Sequence, residues 1–434
     1  MASVCIGLLL ILTLPDGLLS DTCMDVGMKN FITGNLHFQK IVQLPPPKPR
    51  PEQELKYVFV LVKHAMAVPE YDKEKTFPGD KNYQKHWVKD SPTTHGRALM
   101  LMIGRSLNTR YKRFIKNHVP NWEGIKVSCI NKDYVKTLTG DMVYGLLKQS
   151  KFLNELKTDL SWVETQEDFD KIQKILSSGK CRWMNFLKEQ FYEDDQVGPK
   201  HFTRCSEGLY TLLQGFIKNE DNLSENEEGF EWVMNNPEQI YKLWSMLVFQ
   251  ILQGQKEPEW AKDNWTWIQS CVFENYRKFL TYHPAIPAML SGRMIQQMEE
   301  ETSIDRQVLF HVHVTSDIAL LNMNWTLPFT THSHWPDPGD ALIYEFYTED
   351  KVEVWSFSGW LRNFDPILST TREEFFQHYK NRHIYFDEEQ WNSLCDYDKE
   401  NNPTSLPNIL LTDPTIKDEK LLLDYRETYG YKEI

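Results

Sequence analysis

The chain is predicted to be an α/β protein, with a central sheet flanked by helices and an inserted helical domain. Three observations predict it. Tyr57-Val58-Phe59-Val60-Leu61-Val62 is a continuous apolar, β-branched run, as expected of a strand covered by helices on both faces. From about residue 149 to residue 300 the pattern turns to helical periodicity rich in tryptophan. Strand signals then resume at residues 308–314, 341–347 and 352–357.

In chain order, residues 1–20 read as a signal peptide. The apolar run at 4–14 is too short to span a bilayer, Pro15-Asp16-Gly17 breaks it, and small Ser20 precedes Asp21. Residues 21–52 are expected to be a linker, stiffened by Pro45-Pro46-Pro47-Lys48-Pro49-Arg50-Pro51. The first strand ends in Lys63-His64, and the C-terminal ends of strands are where α/β sheets place their ligand sites. Thr93 or Thr94 can cap the next helix, whose apolar stripe is Leu99, Met102, Ile103 and Leu107. Residues 125–130 form a second strand. The two last strand runs are separated by Thr348-Glu349-Asp350-Lys351, a length suited to a hairpin. The expected organisation is a discontinuous α/β domain of residues 53–148 and 301–395, a helical cap of residues 149–300, and a polar extension of residues 396–434.

The net charge of −13 over 434 residues, with no long basic run, excludes a surface that tracks nucleic acid. No later apolar stretch approaches the ~20 residues of a membrane helix, so no membrane anchor is expected. Cys5 leaves with the signal. Cys23, Cys129, Cys181, Cys205, Cys271 and Cys395 remain, an even set compatible with disulfides. Sequons at Asn222, Asn264 and Asn324 are the expected glycosylation sites. The address implied is secretion or the lysosomal lumen.

Several spaced motifs carry a resemblance. Lys63-His64-Ala65-Met66-Ala67-Val68-Pro69 closes the first strand; Phe77-Pro78-Gly79-Asp80 and Trp87 follow. Next come Thr93, Gly96, Gly104, Arg110 and Tyr111, then Phe310-His311-Val312-His313-Val314-Thr315, then Trp391 and Cys395. In order and spacing these resemble the histidine acid phosphatases of the prostatic and lysosomal type, whose first strand ends in R-H-G-x-R-x-P and whose later strand reads Y-S-A-H-D-T. The resemblance implies a mixed sheet of the histidine phosphatase fold. It also implies a disulfide between Cys181 and Cys395, and a homodimer as a common assembly. A bridge between Cys205 and Cys271, or two buried thiols, are equal readings of that pair.

The family reaction hydrolyses phosphate monoesters through a phosphohistidine and needs no cofactor. On this alignment His64 is the nucleophile and His313 the second histidine, and both are the candidate catalytic residues. Lys63 stands for the first phosphate-binding arginine, keeping charge but losing the bidentate fork. Ala67 and Ile130 stand where two further arginines belong, and Val314 where the general acid belongs. Loss of two arginines removes ~4–6 kcal/mol of phosphoryl stabilisation, roughly three to four decades in rate, and loss of the acid a further ~100-fold. The chain is therefore expected to be a catalytically impaired pseudophosphatase that binds a phosphate ester or an apolar ligand. The alternative is an active enzyme using His64, with Lys63 and Lys132 supplying charge and Asp317 or Glu349 the proton. A second alternative is a metal site: His311-Val312-His313 puts two imidazoles on one face of a strand, although no further carboxylate or cysteine completes a ligand set.

Overall fold

Seven strands among the described residues form one mixed sheet. They are β1 (Leu55–Lys63), β2 (Ile125–Cys129), β3 (Glu164–Thr165), β4 (Phe310–Thr315), β5 (Ala341–Tyr347), β6 (Lys351–Phe357) and β7 (Phe364–Thr371), in the spatial order β3-β2-β4-β1-β5-β6-β7. The computed structural model describes residues 55–68, 90–148, 150–151, 163–165, 237–252, 259–262, 264–283, 285–303, 308–327, 335–359 and 363–382, with 160, 184, 187, 191, 208 and 384 besides. β1 is central, parallel to β4 and antiparallel to β5; β4 is parallel to β2, and β2 to β3. The β5–β6 hairpin is found where the sequence puts it. β3 is a two-residue parallel edge within the stretch read as helical. β7 closes the other edge, antiparallel to β6.

The core is where two layers of helices meet this sheet. α1 (Thr94–His118), with α2 (Asp133–Leu147) packed against it, covers one face, where Tyr111 meets Phe310 edge-on at 5.4 Å. Val58, Val60, Val62, Phe310, Val312 and Val314 alternate onto this face and are fully buried. The other face carries Phe59, Leu61, His311 and His313. It is covered by α6 (Ala285–Thr302) and α8 (Arg372–Asn381), the latter through Phe375 against Tyr344 at 5.9 Å. Between α2 and α6 run α3 (Pro237–Leu252), α4 (Glu259–Lys262) and α5 (Trp265–Tyr282); α7 (Asp317–Trp325) follows β4. None of the helices is long and apolar enough to cross a membrane among the described residues.

Residues that carried the sequence resemblance have structural roles here. Thr93 caps α1, its Oγ1 accepting the Gly96 amide at 2.9 Å. A Cβ on Gly96 would sit 2.2 Å from the Met66 carbonyl oxygen, and one on Gly104 1.9 Å from that of Met142. Gly145 of α2 meets the Leu101 carbonyl oxygen at 2.2 Å in the same sense, so two glycines let α1 and α2 approach backbone to backbone. Arg110 reaches through the core to Glu345 on β5.

Candidate functional site

The three parallel strands β2, β4 and β1 end together, and the loops beyond them gather the site. His64 follows β1 directly, its amide held by the Thr315 carbonyl oxygen at 2.9 Å. Its Nδ1 lies 2.8 Å from the Ala65 carbonyl oxygen. A carbonyl can only accept, so Nδ1 carries the proton and Nε2 the lone pair. Burial lowers the imidazole pKa to about 4, against smaller raising effects of the Ala65 carbonyl and Asp317. His64 is thus neutral through the mildly acidic range. Tyr134, in the first turn of α2, sets its ring edge-on to this imidazole at 5.4 Å, and the Lys132 ammonium lies 5.8 Å over the Tyr134 ring.

Lys63 is buried, and its charge is already engaged. Its Nζ donates to the Pro336 carbonyl oxygen at 2.7 Å and pairs with Asp317 Oδ2 at 3.4 Å. Asp317 opens α7, which Ser316 caps. The same carboxylate accepts Tyr241 Oη–H at 2.8 Å, Trp335 Nε1–H at 3.3 Å and the Ile318 amide at 3.0 Å. Burial alone would raise the Asp317 pKa, but the Lys63 ammonium and the Tyr241 hydroxyl outweigh it and hold the carboxyl below its ordinary range. Asp317 is therefore an ionised acceptor and supplies no proton in this protonation state. Glu349 does not either: it lies in the exposed β5–β6 turn, beyond Tyr347, and Tyr347 pairs with Leu55 at the end of β1 opposite His64.

His313 belongs to a second cluster, inside the sheet. It is opposite Leu61 on β1 and Ser128 on β2, fully buried. Glu301 Oε2 lies 2.9 Å from His311 Nδ1; Ser128 Oγ lies 2.8 Å from both His311 Nε2 and His313 Nδ1. Burial opposes ionisation of Glu301, yet the His311 ring, Lys126 and Tyr57 hold its pKa at about 2. Burial likewise lowers the pKa of both histidines. With a carboxylate at one end and neutral imidazoles, the bond directions follow. His311 Nδ1–H donates to Glu301, Ser128 donates to His311 Nε2, and His313 Nδ1–H donates to Ser128. The charges acting on His64 are Asp317, Lys63 and Lys132, whereas His313 feels His311 and Lys126. The structure brings Lys63, His64, Lys132 and Asp317 together and leaves His313 with Ser128, His311 and Glu301. Ser128 and Glu301 carried no signal in the sequence, since a serine in a strand and a glutamate ending a helix are ordinary surface patterns.

The positions that the sequence resemblance aligns with two phosphate-binding arginines and the general acid are apolar and at least half-buried. Ala67 is half-buried and bridges to Pro92; Ile130, just past β2, is buried. Val314 lies within β4 on the face packed by α1, so its side chain points away from the His313 face. The H-x-H pair is tied to Ser128, and among the described residues no group of three or more His, Cys, Asp or Glu is placed to hold a metal. Asn324, an expected glycosylation site, is buried within α7. Asn264 is half-buried before α5. Cys271 is disulfide-bonded, and Cys129 is a buried thiol. The signal peptide, Asn222, Cys181 and Cys395 lie outside the described residues.

No family model matches the sequence, and no curated protein does. Solved structures do match its shape. The phytase from Citrobacter braakii superimposes with a TM-score of 0.55 at 12% identity, over 77% of this chain and 100% of that one. The Hafnia alvei phytase in complex with myo-inositol hexakis sulphate gives 0.52 at 12% identity, over 78% and 100%. The mixed sheet flanked by helices is thus similar to the histidine acid phosphatase fold of these phytases.

Proposed function

We propose that the chain is a phosphatase-fold protein impaired in phosphoryl transfer, whose crevice at the C-terminal ends of β1, β2 and β4 serves binding. One observation carries the reading: Lys63, the one cation kept at an aligned phosphate position, is neutralised by Asp317 at 3.4 Å. A phosphate dianion approaching His64 meets a carboxylate where the reaction needs positive charge. Ala67, Ile130 and Val314 offer no replacement. The Hafnia neighbour holds a hexasulphate polyanion; the ligand best matched here is neutral and largely apolar. The lumenal address, Cys181–Cys395 bridge and homodimer belong to the same proposal, supported by the sequence alone.

A second reading is favoured by His64 itself. Its Nδ1 is bonded and its Nε2 carries the lone pair, which is the state a nucleophile needs. An aryl phosphate assayed between about pH 4 and 8, beside His64→Ala, separates the two. The impaired reading expects equal, background turnover in both proteins. Turnover by the wild type that the substitution abolishes would establish the active enzyme instead.

A further inference from the structure

The donors around Asp317 resemble the lining of an oxyanion site more than the surroundings of a structural carboxylate. Four groups from four different segments converge on its two oxygens. They are the Lys63 ammonium at the end of β1, Tyr241 Oη–H from α3, Trp335 Nε1–H from the loop before β5, and the Ile318 amide in the first turn of α7. Tyr241, Trp335 and the Ile318 amide donate hydrogen bonds to this carboxylate, Lys63 pairs with it by charge, and none of the four is an anion. Lys63, Trp335 and Asp317 are buried, with Lys63 and Asp317 near 8% and 7% exposed. His64 adjoins them, half-buried, and Asp317 is among the charges acting on its imidazole. Tyr241 and Trp335 are themselves held in place, packing against each other at 5.4 Å and against Tyr276 at 5.5 and 5.0 Å. The donors are therefore fixed by aromatic packing that does not depend on the carboxylate.

We propose that Asp317 is a built-in ligand, its carboxylate filling an oxyanion-binding cradle beside His64. The cradle is preorganised: Lys63 is also anchored by the Pro336 carbonyl at 2.7 Å, and Tyr241 and Trp335 by their rings. Removing the carboxylate then leaves a cation and two neutral side-chain donors around the vacated volume, beside His64. The chemistry that would enter is a small oxyanion, and inorganic phosphate is the probe. This inference rests on the impaired reading, because an occupied cradle is what keeps phosphate away from His64.

The test uses the full chain with Asp317→Ala and with Asp317→Ala combined with Lys63→Met. Inorganic phosphate is titrated calorimetrically against each and against the wild type, with circular dichroism checking the fold. The single variant is expected to bind phosphate at least about tenfold more tightly than the wild type, and the double variant to lose that gain. A folded single variant that binds no better than the wild type overturns the proposal, as does a gain that survives loss of Lys63. Where the alanine variant does not fold, Asp317→Ser decides: it vacates most of the same volume, removes the competing charge and can still cap the start of α7, and it carries the same expectation. The two readings fail separately. Wild-type turnover through His64 sinks the impaired function, whereas wild-type inertness without a gain in the variants sinks only the built-in ligand.

Discussion

Replacing Arg110 by methionine should destabilise this protein more than any equally conservative change at a surface arginine. Arg110 projects from α1 through the apolar layer to β5, where Nε and Nη2 donate to Glu345 Oε1 at 2.9 and 2.8 Å. Tyr111 donates to the same oxygen at 2.5 Å and Tyr347 to Oε2 at 2.7 Å. The guanidinium lies 4.5 Å from both the Trp355 and Phe364 rings. Glu345 is fully buried. Methionine keeps the apolar stem but removes the Arg110 cation from a carboxylate buried in the core. Breaking a buried pair in this way costs ~3–5 kcal/mol, and the lost ring contacts add about 1. Against a global stability of about 5–15 kcal/mol, that is a large fraction. Arg97 gives the control: its Nε and Nη2 donate to the two oxygens of Asp141, at 2.7 and 2.9 Å, but its side chain is 54% exposed. Arg97→Met should therefore cost no more than about 1 kcal/mol. Urea unfolding read by tryptophan fluorescence gives both values, and replacing Arg110 and Glu345 together by methionine should recover most of the loss. If Arg110→Met is no more destabilising than Arg97→Met, the reasoning from burial is refuted.

Two further predictions follow from packing and titration. Gly104→Ala puts a methyl 1.9 Å from the Met142 carbonyl oxygen, a rigid backbone atom, so α1 and α2 must separate. A loss of about 2–3 kcal/mol in the same urea assay is expected, and a neutral result would mean the helices slide apart freely. The Glu301 cluster predicts acid lability with a defined sign. Folding lowers the Glu301 pKa from an ordinary 4.5 to about 2, so this stabilisation is present above 4.5 and lost as pH falls toward 2. Buried His311 and His313 are also depressed from 6.5, so their share is present above 6.5 and lost as pH falls below it. Glu301→Gln should lower stability at neutral pH and flatten the limb between pH 4.5 and 2; an unchanged acid slope would show that other groups govern it.

Much of the fold was legible because its signals are local. The β1 run, the Thr93 cap and the β5–β6 hairpin announce themselves within a few residues, and the structure has each where the sequence put it. β7 was missed for a physical reason. It is an edge strand, half-exposed and carrying Pro366, so it has no apolar run to read. The two-residue β3 is shorter than any periodicity. α2 follows Lys132 without a side-chain cap, so its start has no clear marker.

The candidate site divides along the same line. The sequence by itself determined that His64 would follow a buried strand at the edge where such sheets bind ligands. It also determined that Ala67 and Ile130 would bring no charge there. Only the tertiary structure decided what Lys63 and His313 do. Lys63 meets Asp317 because β1 and α7 adjoin through β4, although the two residues are far apart in sequence. His313 turns toward Ser128, His311 and Glu301, and Val314 toward α1, because pairing β4 with β1 and β2 in this register sends successive side chains to opposite faces. A shift of one residue would exchange them. Strand identity is written in neighbouring residues, whereas charge pairing depends on register, and register is set only when the whole sheet packs.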